Sequence, residues 1–146
     1  MPGKNTKREY VEDGIYHVYN PGVDKREVFL DERDHLYFES LLKAYVTPDL
    51  PIQMSLDHPN YTYWPSKLAP HEVNVLAYCL MPNHYHLLLK QSSVDGVSKF
   101  MRRISTAYVS RFNRKYERSG TLFEGSFKSI YVEDFKYLIE LSRIYS

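Results

Sequence analysis

Cysteine is almost absent from this 146-residue chain, and long apolar runs are absent altogether. The one cysteine, Cys79, cannot form a disulfide within the chain or build a zinc site of several thiolates, so the fold must rest on packing in a reducing compartment. The longest apolar run, 75–81, is far shorter than the roughly 20 residues of a membrane-spanning helix, and residues 1–8 lack the apolar core of a secretion signal. We therefore expect a cytoplasmic protein without a membrane span.

Net charge is also small, at +1, but the positive charge is concentrated in one segment. Residues 97–128 hold eight Lys or Arg and two Asp or Glu, whereas residues 1–96 hold nine and thirteen. Such a local excess creates a potential that attracts phosphate groups. Because 43% of the residues are hydrophobic, the composition excludes a disordered basic tail and predicts one compact domain, 1–146, with a local surface for a polyanion.

Secondary structure follows from apolar periodicity and turn signals. The predicted strands are 14–19, 74–80, 84–90 and 127–132, and the predicted helices are 31–46, 97–116 and 133–145. This order predicts an α+β fold, the ferredoxin-like split βαβ sandwich, in which helices cover one face of an antiparallel sheet, with a short C-terminal helix added.

Three segments carry more detailed predictions. The helix over 31–46 should bury a stripe that includes Leu36 and Leu41, and strand 74–80 should be buried on both faces because it is almost wholly apolar. The segment 47–70 holds five prolines and no sustained periodicity, so an irregular connection is expected there.

The triplet His84-Tyr85-His86 is the most informative motif. Side chains two apart on a strand point to the same face, so the two imidazoles would stand about 7 Å apart at the backbone and could grip one divalent ion. The alternative is that they are simply two half-buried polar residues of a strand. The Met81-Pro-Asn83 turn before the pair and the basic helix that follows favour a metal beside a phosphate-binding surface. His17 could approach the pair from the first strand.

The stretch Tyr78-Cys-Leu-Met-Pro-Asn-His-Tyr-His-Leu-Leu-Leu89 resembles the signature of the single-tyrosine HUH transposases, the IS200-like group, and especially the REP-associated tyrosine transposases. Two further segments resemble the opening strand and the basic segment of that family, and they are Tyr16-His-Val-Tyr-Asn20 and Asn113-Arg-Lys-Tyr-Glu-Arg-Ser-Gly-Thr-Leu-Phe123. The family fold is also ferredoxin-like. The resemblance covers nearly the whole chain.

The resemblance implies a DNA transposase that acts on single-stranded or hairpin DNA. His84 and His86 would be ligands of a divalent metal, Mg²⁺ or Mn²⁺, and a tyrosine would attack the scissile phosphate to give a covalent 5′-phosphotyrosine. A free 3′-hydroxyl could then reverse the reaction on another strand. Members of the family differ in whether they dimerise, so a homodimer stays open.

The family places its tyrosine on the C-terminal helix, where this chain reads Leu141-Ser-Arg-Ile-Tyr-Ser146. In alignment, Ile144 occupies the nucleophile position, and Tyr145 follows one residue later, a displacement of about 100° around a helix. Tyr145 is the predicted nucleophile, with Tyr137 as a second candidate. Two alternatives remain: a catalytically impaired or domesticated relative that only binds structured nucleic acid, and an unrelated metal-dependent hydrolase of a small phosphorylated substrate.

Basic residues of 97–128 are the predicted DNA contacts, and they are Arg102, Arg103, Arg111, Arg114, Lys115, Arg118 and Lys128. Three nearby aromatic residues, Tyr108, Tyr116 and Phe123, are candidate platforms on which bases could stack. The alternative for each of these residues is a solvated helix face or the apolar core.

Overall fold

The computed structural model describes residues 10–44, 73–134 and 136, together with the backbone of 52–53 and 62–63. Two long helices are present, α1 over Glu32–Ala44 and α2 over Gly96–Lys115. The strands are β1 Ile15–Pro21, β2 Ile52–Gln53, β3 Thr62–Tyr63, β4 Val73–Met81, β5 His84–Gln91 and β6 Lys128–Tyr131.

Four of the strands form one antiparallel sheet in the order β4-β5-β1-β6. The first strand in sequence is therefore central, paired with β5 on one side and β6 on the other. Strands β4 and β5 form a hairpin whose two-residue turn is Pro82-Asn83. Together with one helix in each crossover, this order confirms the predicted ferredoxin-like α+β fold.

The core lies between the sheet and the two helices. Side chains alternate along a strand, so Tyr16 and Val18 of β1 and Tyr85 and Leu87 of β5 share one face and are almost fully buried in the same apolar cluster as the helices. The helices contribute residues at spacings of three and four, among them Tyr37, Phe38, Leu41, Met101, Ile104, Tyr108 and Phe112. The residues between them on the strands, including His17 and His86, point to the opposite face of the sheet.

Helix α1 begins after Asp31, whose side-chain oxygen accepts a hydrogen bond from the backbone N–H of Asp34 at 3.0 Å, as expected of an N-cap residue. The buried face contains Tyr37, Phe38 and Leu41, but Leu36 is exposed. The prediction for Leu36 is wrong because the buried stripe runs through residue 38 rather than residue 36, a rotation of about 160° around the helix axis away from that side chain.

Strand β4 lies at the edge of the sheet. Leu76 and Tyr78 are 48% and 46% exposed, so the prediction that this strand is buried on both faces is wrong. A run of apolar residues does not distinguish a central strand from an edge strand, because that distinction is made by partners distant in sequence.

Two predicted segments lie only partly within the described residues. The pairing of β2 with β3 falls inside 47–70, the segment with no predicted helix or strand, and the rest of that segment lies outside the described residues. Residues 133 and 134 are not helical, and the remainder of the predicted helix 133–145, apart from residue 136, also lies outside them. Within the described part, neither helix combines the length and apolar character needed to span a membrane.

Candidate metal centre and nucleic-acid interface

The hairpin turn before His84 is held in place by the backbone of the preceding segments. The N–H groups of Val28 and Phe29 both donate to the carbonyl of Pro82, at 2.8 and 3.1 Å, and the N–H of Gly22 donates to the carbonyl of Asn83 at 2.8 Å. These bonds fix the start of β5 against the end of β1. His84 therefore projects from an anchored turn rather than from a loose loop.

His84 and His86 project from the sheet face opposite the helices, as the alternation of β5 requires. Their ring centroids are 4.8 Å apart, and the ring planes are nearly perpendicular, at 87°. Nδ1 of His84 lies 2.6 Å from Oδ1 of Asn83, and Nδ1 of His86 lies 2.9 Å from Nε2 of His17. The structure thus brings together the two predicted ligands and gives each ring a hydrogen-bond partner at Nδ1.

A third histidine belongs to the same group. His17 of β1 is only 6% exposed, and its ring lies edge to edge with that of His86, with centroids 5.1 Å apart and an interplanar angle of 24°. The ring of Tyr19, two residues further along β1, stacks on that of His86, at 5.8 Å. The sequence signal for His17 is the alternation of side chains along β1, which places His17 on the face of the sheet that carries His84 and His86.

The three histidines are held in their neutral form. Burial lowers the pKa of His86 to about 4, with further lowering from the neighbouring His17 and His84, because each added positive charge repels the others. Burial also lowers the pKa values of His17 and His84. At neutral pH the imidazoles are therefore uncharged, which is the form that binds metal ions.

Two neutral imidazoles suit a first-row divalent ion such as Mn²⁺, whereas Mg²⁺ prefers oxygen ligands. The described part of the chain contains no group of three or more His, Cys, Asp or Glu side chains arranged for a metal ion. Cys79 is paired with His86 across β4 and β5 but is half-buried in an apolar strand. The donor set therefore fits a metal held by two histidines together with further oxygen ligands such as water or a substrate phosphate.

The predicted DNA contacts are distributed between the interior and the surface of the protein. Arg111 is 3% exposed, donates from Nη1 to Oδ1 of Asp34 at 2.9 Å, and lies over the ring of Tyr37. A guanidinium in that position has no surface to offer to a phosphate. Arg111 is therefore a structural residue, which corrects its assignment as a DNA contact.

Lys115 is also occupied within the protein. Its Nζ lies 2.6 Å from a carboxylate oxygen of Asp31 and 3.0 Å from one of Asp34. These two carboxylates neutralise the ammonium charge and hold its pKa above the usual value, despite the opposing effect of burial. Lys115 therefore links the end of α2 to the start of α1 through these ion pairs and does not belong to the predicted phosphate-binding surface.

Two further cations brace the segment that follows α2. Arg118 donates to the side chain of Asn113 and to the carbonyl of Thr121, and Lys128 donates to Oδ1 of Asn20 at 3.0 Å and to the carbonyl of Glu124 at 2.9 Å. Both side chains are partly accessible. They shape the 118–128 segment, and their remaining surface can still face a phosphate.

Arg102, Arg103 and Arg114 lie on the outward side of α2, where Arg102 and Arg114 are exposed and Arg103 is half-buried. Arg102 also lines a groove of 760 Å³ between α2 and the segment 121–127. Hydroxyl groups of Ser105, Thr106 and Ser110 line the same groove. The outward side of α2 therefore presents the cations and hydroxyls that commonly contact a sugar-phosphate backbone.

The groove has an apolar wall and reaches the end of the sheet. Phe123 and Phe127 line it from the loop, and Asn20 lines it from the end of β1. Asn20 is paired with Tyr85, the residue between the two motif histidines, and faces the other side of the sheet. The groove and the histidines thus approach the same end of the sheet from opposite faces.

Of the candidate stacking platforms, two are core residues. Tyr108 is fully buried and its hydroxyl donates to the carbonyl of Val28, and Phe123 is 5% exposed. Tyr116 is partly exposed, and its hydroxyl donates to Oδ2 of Asp34 at 2.6 Å. Tyr108 is therefore excluded as a platform, because no base can reach its ring.

The candidate nucleophiles Tyr145 and Tyr137 lie outside the described residues.

Comparisons with known proteins give one family match and two structural matches. Residues 60–142 match the family model described as "Transposase IS200 like". Among solved structures, a REP-associated tyrosine transposase bound to a REP hairpin aligns with a TM-score of 0.61 and 13% identity, covering 95% of this chain and 68% of that one. A provisionally assigned transposase from Deinococcus radiodurans R1 aligns with a TM-score of 0.55 and 18% identity, covering 96% and 95%. The sequence matches none of the curated proteins.

The two structural matches establish the fold alone, because their sequence identities are too low to show a shared function. The family match covers more than half of the chain and includes both motif histidines and the whole basic segment. The chain therefore belongs to the IS200-like transposases.

Proposed function

We propose that the protein binds single-stranded or hairpin DNA and cleaves and rejoins it by metal-assisted transesterification through a 5′-phosphotyrosine. The observation that carries this proposal is the pair His84 and His86, whose rings lie 4.8 Å apart on an anchored strand. Both rings are neutral at physiological pH and both are oriented by a hydrogen bond at Nδ1. Membership of a transposase family supports DNA processing as the type of reaction.

His84 and His86 would hold the metal, with Mn²⁺ favoured by the imidazole donors and Mg²⁺ as the alternative. When bound, a divalent ion withdraws charge from the non-bridging oxygens of the scissile phosphate and makes phosphorus more electrophilic. Asn83 and His17 orient the two rings through their Nδ1 atoms, so the residues of this chain define the site before any substrate arrives.

Tyr145 is the proposed nucleophile, assigned from the resemblance of its segment to the family. The phenolic oxygen loses its proton and forms a bond to phosphorus while the bond between phosphorus and the 3′-oxygen breaks. The departing 3′-oxygen takes up a proton, which leaves a 3′-hydroxyl on one side and a 5′-phosphotyrosine on the other. Attack of a 3′-hydroxyl on this linkage reverses the step, so strands can be joined without an external energy source.

The DNA would lie along the outward side of α2 and the neighbouring groove. Arg102 and Arg114 are exposed there, and the groove adds hydroxyl donors and an apolar wall. The REP hairpin held by the structurally similar transposase supports a hairpin as the class of substrate. Contacts of this kind bind phosphate and sugar without reading sequence.

The experiment is incubation of the protein with hairpin oligonucleotides and Mn²⁺, followed by denaturing gel electrophoresis. The proposal predicts a denaturant-resistant protein–DNA adduct that disappears in His86→Ala and Tyr145→Phe. The matched control is Tyr131→Phe, since Tyr131 is an exposed tyrosine on β6 outside the proposed site, and this variant should form the adduct normally. Salt-sensitive DNA binding without an adduct would instead identify a relative that has lost catalysis.

A further inference from the structure

His17 lies directly beside one of the two proposed metal ligands. It is nearly buried, its ring lies edge to edge with that of His86, and its Nε2 is 2.9 Å from Nδ1 of His86. That distance corresponds to a hydrogen bond, so one of the two nitrogens carries a proton and the other accepts the hydrogen bond. The direction of this bond determines which nitrogen of His86 has a lone pair for a metal.

Two tautomers satisfy the bond, and they differ in chemical consequence. If Nδ1–H of His86 donates to Nε2 of His17, then Nε2 of His86 carries the lone pair and can bind a cation. If Nε2–H of His17 donates instead, then the proton of neutral His86 is on Nε2 and that nitrogen cannot bind. The neighbouring ring provides a precedent, because Nδ1 of His84 faces Oδ1 of Asn83, an oxygen that only accepts.

We propose that His17 is a positioning residue that accepts the Nδ1 proton of His86 and thereby directs Nε2 of His86 toward a divalent metal. Histidine ligands usually donate their second ring N–H to a carboxylate, a carbonyl or water, and here a buried imidazole takes that place. A cation at Nε2 withdraws electrons from the ring and makes Nδ1–H a better donor, so metal binding and this hydrogen bond reinforce each other. The inference rests on the proposed metal site of His84 and His86.

The neighbouring rings also explain why an imidazole suits this position. The ring of His17 lies beside the rings of His86 and Tyr19, with centroids 5.1 Å from each, and the ring of Tyr19 lies 5.8 Å from that of His86. A flat side chain fills this space, and its Nε2 reaches the partner ring. His17→Phe keeps the flat shape but removes the acceptor, whereas His17→Gln replaces the ring with a side-chain oxygen that can still accept.

The first test is the tautomer of His86 in the metal-free wild-type protein, measured by two-dimensional NMR of the ¹⁵N-labelled histidine rings. We expect a protonated Nδ1 and an unprotonated Nε2 in His86. A protonated Nε2 as the main form would overturn the inference. This measurement needs no variant and no metal, so it separates the inference from the proposed function, which fails if wild-type protein neither binds Mn²⁺ nor forms the DNA adduct.

The second test is Mn²⁺ affinity, measured by water-proton relaxation with the folded state checked by NMR. Loss of a hydrogen-bond partner of a ligand weakens metal binding by about 10-fold or more, which is expected for His17→Phe, and His17→Gln should recover most of the affinity. The matched control is His35→Phe, because His35 stacks on Phe29 on the helix side of the sheet and should leave Mn²⁺ binding unchanged. A Mn²⁺ affinity of His17→Phe equal to that of the wild type would contradict a positioning role.

Discussion

Asp34 at the start of α1 and Arg111 near the end of α2 form an ion pair with an N–O distance of 2.9 Å, and both side chains are almost completely buried. Oδ1 of Asp34 also accepts from Lys115, and Oδ2 accepts from Tyr116 and from the backbone N–H of Leu30. One carboxylate therefore joins the two helices on which the core is built. Arg111 serves this connection instead of the DNA surface.

Replacing Asp34 with Asn should strongly destabilise the protein, because it removes the carboxylate charge that is ion-paired with the buried guanidinium of Arg111. Breaking a buried pair in this way costs about 3–5 kcal/mol in the free energy of unfolding. The measurement is urea denaturation followed by circular dichroism. Asp31→Asn is the matched control, since Asn caps a helix as well as Asp does and only the half-exposed pair with Lys115 is lost, at a cost of about 0–1 kcal/mol. Equal effects of the two substitutions would contradict the role given to Asp34.

The same carboxylate predicts how stability depends on pH. Burial alone would raise the pKa of Asp34, but hydrogen bonds from Tyr116, Arg111 and Leu30 outweigh it and hold the pKa below its ordinary value of 3.8. A carboxyl group whose pKa is lowered by folding stabilises the protein above the unfolded value, and this contribution is lost as the pH falls through the folded value.

We therefore expect the free energy of unfolding of the wild type to fall as the pH decreases below about 4. The Asp34→Asn variant should lose less over the same interval, because it lacks the group responsible. Thermal unfolding at several pH values between about 2 and 6 measures the free energy of unfolding of both proteins as a function of pH. Parallel curves for the two proteins would show that Asp34 does not contribute to the acid sensitivity.

DNA binding should depend on the exposed cations of α2. Arg102→Ala combined with Arg114→Ala removes two phosphate contacts, so it should weaken binding to every hairpin sequence and reduce the salt dependence, by about 0.7–0.9 in log–log slope for each lost contact. Fluorescence anisotropy at several salt concentrations measures both quantities. Lys43→Ala on α1 removes an exposed cation outside the basic segment and should change neither. An unchanged slope in the double variant would place the DNA elsewhere.

The elements that the sequence predicts well are those governed by local periodicity. Helix α2 differs from its prediction by one residue at each end, and Phe100, Ile104 and Phe112 are buried as the helical spacing requires. The histidine pair is also a local feature, because alternation on one strand places both rings on one face. The architecture could also be predicted, because a given order of helices and strands along the chain allows only a few sheet topologies.

The predictions that failed concern relationships between distant residues. Arg111 and Asp34 are 77 positions apart, and nothing in the basic stripe of α2 distinguishes the one arginine that meets a buried carboxylate. Strand β4 is as apolar as a central strand, yet it lies at the edge of the sheet with Leu76 and Tyr78 exposed. The predicted approach of His17 to the motif is confirmed, but the sequence does not predict which histidine it contacts, because that depends on the register that pairs Tyr19 with His86.

Covalent catalysis at a site built around His84 and His86 would leave DNA attached to the protein, so the decisive measurement is the chemical nature of the protein–DNA linkage. Wild-type protein is incubated with a hairpin oligonucleotide and Mn²⁺, digested with nuclease and protease, and analysed by tandem mass spectrometry. We expect a nucleotide attached by its 5′-phosphate to Tyr145, formed only with metal and absent from His86→Ala. A linkage to another residue, or an adduct that forms equally well in His86→Ala, would contradict it.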